Sequence, residues 1–230
     1  MNMKATIPTV ATYAVVLCSL ALTANTLHTE YRRRHPPPTA PWKTIGDSRA
    51  LASTGNRIGT QNPRTTVVVF SDYECPACLY LDTQLRAIER EYPSVGIVYH
   101  NFPLPFHEHA RAAALAAQCA ASQGRFAEYH SRLFDDHGML GKERWTSVAA
   151  ALHVSDTVAF NDCLRGPAAA SAIDADINAG TKLGIYATPT IIVGKEMYLG
   201  TPLDLKDIIE RHLAANQADT KGGAAVATGT

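Results

Sequence analysis

Thr65-Thr66-Val67-Val68-Val69-Phe70-Ser71-Asp72-Tyr73-Glu74-Cys75-Pro76-Ala77-Cys78 carries an apolar strand pattern into a helical one, with two cysteines at the join. Beyond the pair, Leu81, Leu85, Ile88 and Tyr92 recur at spacings of four, three and four, which is one face of a helix. A thiolate at a helix N-terminus meets unpaired backbone N–H groups and the positive end of the helix dipole, so one cysteine of such a pair becomes reactive. Cys75 is that candidate. Cys78, one turn on, is positioned to resolve it.

Outward from this stretch, Pro93-Ser94 ends the helix and Val95 to Tyr99 reads as a second strand. The unit is βαβ, which implies parallel strands and a right-handed crossover. From His107 to about Gly184 the pattern is helical: Ala110 to Ala121 is alanine-rich, Phe126, Tyr129, Leu133 and Phe134 mark one face, and Trp145, Val148 and Leu152 another. Pro167 at a helix start and Gly184 past a helix end bracket a longer segment through Ile173, Ile177 and Leu183. Strands return at Thr190 to Val193 and Met197 to Leu199, joined at Gly194-Lys195. A final helix is expected to open with Thr201 as N-cap and Pro202 at its first position, burying Leu205, Ile208, Ile209 and Leu213. The fold class is α/β: βαβ, a helical insertion, then ββα.

That order, with Cys75-Pro76-Ala77-Cys78 at a helix start and Ala187-Thr188-Pro189-Thr190 entering a strand hairpin, closely resembles the DsbA-like thiol:disulfide oxidoreductases of the thioredoxin superfamily. The resemblance runs from about Trp42 to Leu213. Phe70-Ser71-Asp72-Tyr73-Glu74, Tyr99-His100-Asn101-Phe102-Pro103-Leu104 and Gly184-Ile185-Tyr186 add to it. It implies a thioredoxin-like fold with an inserted helical domain, and a cis Pro189 facing the cysteines. A cis X-Pro bond turns the backbone groups of Thr188 toward an extended substrate, which then pairs as a short added strand. Thr188 and Pro189 are therefore the expected substrate-binding residues.

The implied reaction is disulfide exchange through a redox-active Cys75–Cys78 pair, with no other cofactor. Pro76, Ala77 and Asp72 are read as active-site support. Asp72 and Glu74 stand close before the pair, as proton-relay groups or as carboxylates at a strand end. Where the best-known oxidant of the family has a histidine between its cysteines, this chain has Ala77, which removes a cationic partner for the thiolate and implies a weaker oxidant. Relatives often bridge the inserted helices with a structural disulfide. The resemblance therefore suggests a Cys119–Cys163 pair, two separately buried thiols being the alternative.

Twenty-one basic and twenty-one acidic residues give a formal charge of zero, with no basic stripe for phosphates, which argues against a nucleic-acid partner. Ala5 to Leu27 carries no charge and is about the length needed to cross a hydrocarbon core, though Thr9, Thr12, Ser19, Thr23, Asn25 and Thr26 dilute it. It reads as an uncleaved membrane anchor or a cleaved signal peptide, the anchor being favoured because the small-x-small match near Ala24 is poor. Arg32, Arg33 and Arg34 after the run point the domain to the cytoplasm, whereas Cys75, Cys78, Cys119 and Cys163 form the even set typical of an oxidising compartment. The extracytoplasmic, periplasmic side is chosen. The expected division is an anchor at 1–30, a Pro-rich linker and arm at 31–62, the DsbA-like domain at 63–216 with its insertion at about 107–184, and a disordered tail at 217–230.

His107-Glu108-His109 looks ligand-like, yet alternate helical positions diverge, so no metal site is read there. His100 is read as a loop histidine rather than a redox residue. The expected activity is oxidation of dithiols in unfolded or cysteine-containing extracytoplasmic proteins, with a membrane redox partner restoring the disulfide. A reductase or isomerase of the same fold and a thiolate metal-delivery module are the alternatives, and a non-catalytic binding domain is disfavoured by retention of both cysteines.

Overall fold

Val67, Val68, Val69 and Phe70 are fully buried, because both faces of the strand they form are covered. That strand, β3 (Thr65–Ser71), lies beside β4 (Val95–Asn101), parallel to it, and β5 (Thr190–Val193), antiparallel. The computed structural model describes residues 7–34, 39–141 and 144–226 and divides into two units, Met1–Thr39 and Ala40–Thr230.

In the second unit the sheet order is β1 (Lys43–Thr44), β6 (Glu196–Leu199), β5, β3, β4 and β2 (Asn56–Gly59). Strand β6 follows β5 through a hairpin, and β1 and β2 add the two edges. Helix α3 (Pro76–Glu91) joins β3 to β4. The period-2 alternation of the strands sends Val67, Val69, Ile97, Tyr99, Ile191 and Val193 to one face, where they pack on Leu81 and Leu85 of α3. Val68, Phe70, Val98, Ile192 and Met197 go to the other face, with Ile45 and Ile185.

Among the described residues the insertion holds five α-helices between β4 and β5: Ala110–Ala121, Phe126–Asp135, Trp145–Ala151, Thr157–Arg165 and Pro167–Lys182. Numbered with the short Arg49–Thr54 helix as α2, they are α4 to α8. The last helix, α9, runs from Leu205 to Val226 and buries Leu205, Ile208, Ile209 and Leu213.

Four details depart from the sequence reading. The arm before β3 contributes sheet edges: Asn56 to Gly59 pair antiparallel with Tyr99 to Gly96. Helix α9 starts three residues after Pro202, since Leu205 N–H closes a turn onto the Pro202 carbonyl and Asp204 accepts the first helical bond from Ile208; Thr201 does not cap it. The same helix continues past residue 217 into the segment read as a disordered tail, with Ala218, Ala224 and Ala225 favouring it and Gly222-Gly223 opposing it; residues 227–230 lie outside the described ones. In the first unit, helix α1 (Ile7–Arg34) takes in the charge-free run from Ile7 onward and extends past residue 30. No helix among the described residues is long and apolar enough to cross a membrane, Asn25, His28 and Glu30 lowering the hydropathy of its C-terminal half.

Candidate active site

Cys75 occupies the N-cap position of α3 in an extended conformation, and Pro76 opens the helix, where a missing N–H costs nothing. The Cys75 carbonyl accepts the first helical bonds, from Cys78 N–H at 3.0 Å and Leu79 N–H at 3.2 Å. This turn aims the N–H groups of Ala77 and Cys78 at the Cys75 sulfur, the Cys78 N–H being shared with the Cys75 carbonyl. Cys78 falls on the buried face of α3 and is 1% exposed; Cys75, at 7%, is the sulfur a partner can reach. Both are free thiols here.

The sequence-distant Thr188-Pro189 pair, joined by a cis peptide bond, lies against Cys75: Cys75 Sγ donates to the Thr188 carbonyl at 3.5 Å. The buried Thr188 hydroxyl has no hydrogen-bond partner among the described residues when Cys75 is a thiol. It is at hand to stabilise the thiolate.

The two sulfurs are electrostatically divergent. A hydrogen bond from the Cys78 thiol, opposed by burial and helped by the Cys78 N–H, Thr188 and the Ala77 N–H, brings Cys75 down to about 5 from an ordinary value of 9.0. Burial first, then the hydrogen bond to Cys75 and its charge, push Cys78 far above the usual thiol range. One sulfur is therefore a thiolate at neutral pH and the other a proton donor.

Asp72 is no surface carboxylate. Its side chain is wholly buried, and it accepts from Glu74 N–H at 2.7 Å, Leu104 N–H at 2.7 Å and His107 Nδ1 at 2.8 Å. Its own N–H points at Cys78 Sγ, 3.5 Å away. Glu74 accepts from His109 N–H at 2.7 Å. These two carboxylates fasten the loop after β4 to the cysteine turn. His107 and His109 serve as partners in that fastening, and no metal-binding cluster of His, Cys, Asp and Glu occurs among the described residues. His100 stands apart, stacked on Phe70 and bonded to Asp176 at 2.6 Å and to the Leu51 carbonyl at 2.9 Å.

A buried polar chain beneath α3 escaped the sequence reading. Asp82 accepts from Tyr99 at 3.0 Å, His130 Nε2 at 2.9 Å and Arg86 Nε at 2.6 Å, and His130 Nδ1 meets the Tyr73 hydroxyl at 2.9 Å. Burial pushes Asp82 up, but the hydrogen bond and charge of His130, with Arg86, outweigh it and hold the carboxyl below its ordinary value. Burial holds His130 below its own. A readable signal existed: Asp82 sits four residues after Cys78, on the apolar face that carries Leu81 and Leu85.

Cys119 of α4 and Cys163 of α7 form a disulfide of 2.01 Å, away from the redox pair and within the insertion.

A family model described as Thioredoxin matches residues 52–211, the stretch that contains the whole of this site. The chain belongs to the thioredoxin family. The chain is similar to "Disulfide bond formation protein D" of Bacillus subtilis, 26% identical over 169 residues, covering 68% of this chain and 76% of that protein. The "Na(+)/H(+) antiporter NhaA 3" of Salinispora tropica is 32% identical over 143 residues, 62% of this chain; the chain spans 22% of that antiporter's length. A solved periplasmic thioredoxin-like protein from Salmonella enterica serovar Typhimurium is 25% identical, with a TM-score of 0.59 over 75% of this chain and 99% of that one. The expected membership of the thioredoxin superfamily and the expected fold are thus borne out.

Proposed function

We propose that this thioredoxin-family chain is an extracytoplasmic protein thiol:disulfide oxidoreductase that oxidises client dithiols through Cys75 and Cys78. The observation that carries this reading is the divergence of the two sulfurs, Cys75 lowered to about 5 and Cys78 raised, at a helix start faced by Thr188.

In the oxidised form a client thiolate attacks Cys75 Sγ. The Cys75–Cys78 bond breaks, its electron pair leaves with Cys78, and Cys78 takes up a proton. A second client thiolate attacks the client sulfur of the mixed disulfide, and Cys75 departs as a thiolate. The client loses two electrons and gains a disulfide; the enzyme pair gains those electrons. A leaving thiol with a low pKa departs faster, and a stabilised reduced form makes the disulfide the stronger oxidant. Ala77 offers no cation to the thiolate, so the couple is less oxidising than that of relatives with a histidine at this position.

The client backbone is held at the Thr188 carbonyl as a short added strand. An oxidising compartment is supported by the Cys119–Cys163 bridge, since such bonds persist outside the reducing cytosol. The N-terminal run serves as a membrane anchor or a cleaved export signal, and a membrane redox partner restores the Cys75–Cys78 disulfide.

The test is the full chain equilibrated with glutathione and assayed for oxidation of a reduced, unfolded protein. Stoichiometric client oxidation by the disulfide form, abolished by Cys75→Ser, supports the proposal. Client reduction without oxidation at any glutathione ratio would reverse the direction assigned.

A further inference from the structure

Beside the cysteine turn lies a groove of about 640 Å³ between the loop after β4, the C-terminal part of α8 and Tyr186. Its volume is that of a ligand-sized site. Phe102, Leu104 and Ile177 give it apolar walls, and Tyr186, which is 65% exposed, stands at its side two residues before Thr188. Tyr186 stands largely in water, whereas Phe102 is buried and Leu104 and Ile177 are half-buried, so the groove is an apolar recess with an exposed aromatic at its side.

The walls are preorganised. Asp72 fastens the loop at Leu104 N–H and at His107. The Phe102 ring lies so close to Gly180 of α8 that a Cβ there would come within 2.7 Å of it, so the aromatic floor depends on glycine at that point. Trp42 of the arm meets the Tyr186 ring edge-on, with centroids 5.7 Å apart, and Lys43 Nζ donates to the Leu183 carbonyl at 3.0 Å. An exposed tyrosine braced in this way is a fixed surface, and rigid aromatic surfaces cost little entropy to bind.

The charges at the groove are unequal. Arg111 is paired with Asp174 at 2.8 Å, whereas exposed Glu108 makes no ion pair among the described residues. The groove is therefore apolar inside with an uncompensated acid at its edge.

Resting on the thiol-exchange reading above, we infer that this groove is a client subsite which takes an apolar or aromatic side chain neighbouring the client cysteine, with a lysine or arginine next to it set against Glu108. Tyr186 at its side stands two residues before Thr188, whose carbonyl meets the Cys75 sulfur at 3.5 Å, so one extended client segment would reach both.

The test uses the oxidised full chain and two single-cysteine peptides, one with Phe-Lys near the cysteine and one with Ser-Gly there, each made with the pair on either side. Rates of mixed-disulfide formation are compared as a ratio within each protein variant, which makes the result independent of the amount folded. The wild type favours the better-placed Phe-Lys peptide by about tenfold, the scale of one well-seated apolar group. Thr181→Trp, which puts an indole in the groove, and Glu108→Lys each bring the ratio below about threefold. A wild-type ratio near one, or an unchanged ratio in either variant, overturns the subsite. Exchange with glutathione is followed alongside: its absence overturns the thiol-exchange reading itself, while normal glutathione exchange with equal peptide rates overturns the subsite alone.

Discussion

Asp72 Oδ2 and His107 Nδ1 lie 2.8 Å apart, with the Asp72 side chain wholly buried between the cysteine turn and the loop after β4. The same oxygen also accepts from Leu104 N–H, so one carboxylate holds the active-site strand end, the loop and the groove wall together. Asp72→Asn keeps the shape but puts an NH2 against donors. The expected loss is about 1–3 kcal/mol of stability, the cost of buried donors left unpaired. Urea unfolding measures it, and a change below about 0.5 kcal/mol, the range of an ordinary surface substitution, would remove Asp72 from this role.

Asp82 is the hub of the buried chain that also joins Tyr99, His130 and Arg86. Asp82→Ala leaves two buried donors, on Tyr99 and His130, without their acceptor, while Arg86 keeps Asp135 and the Ser131 carbonyl, and a destabilisation of about 1–3 kcal/mol for each unpaired donor is expected. Chemical denaturation of the reduced and oxidised forms checks it. Equal losses in both forms mark a structural network; a loss confined to one form would tie the chain to the redox cycle.

The Cys119–Cys163 bridge closes a loop across 44 positions of the insertion. Replacing both cysteines with alanine is expected to cost about 2–4 kcal/mol, mainly by freeing the unfolded chain. Denaturation of the double variant gives the number, and an unchanged midpoint would show that the helices hold without it.

Reduced protein gains stability as pH rises. Cys75 titrates at about 5 when folded and near 8.5 when unfolded, so between those values the unfolded chain binds the extra proton. The contribution is fully present above about 8.5 and is lost as pH falls through about 5. Cys78, raised by burial, works in the opposite sense only above about 8.5, where the unfolded thiol ionises and the folded one does not. Unfolding midpoints of reduced and Cys75→Ser protein across this window test the sign. Parallel pH profiles for the two would contradict it.

The fold was legible because its signals are local and agree with one another. The valine run of β3 alternates onto two covered faces, Pro76 starts a helix, and Gly194 supplies the hairpin turn at a positive φ of 61°. Cys75 and Cys78 are legible from motif and order, Thr188 and Pro189 from the family resemblance, and the structure brings the four residues together. The partners of the carboxylates were not legible. That His107 should serve Asp72, or His130 serve Asp82, depends on tertiary placement across 35 and 48 positions, which no periodicity encodes. The edge strands β1 and β2 were missed for a related reason: two to four residues of pairing leave too short a pattern to separate from a loop.

The central claim is that Cys75 is an acidified nucleophile whose neighbour keeps it so. Thiolate absorbance of the reduced full chain, followed against pH with Cys75→Ser as the blank, measures it directly. An apparent pKa near 5 for Cys75, moving upward in Cys78→Ala as the leading hydrogen bond is removed, is the expected result. A value near the ordinary 9.0, or one indifferent to Cys78, would contradict the account.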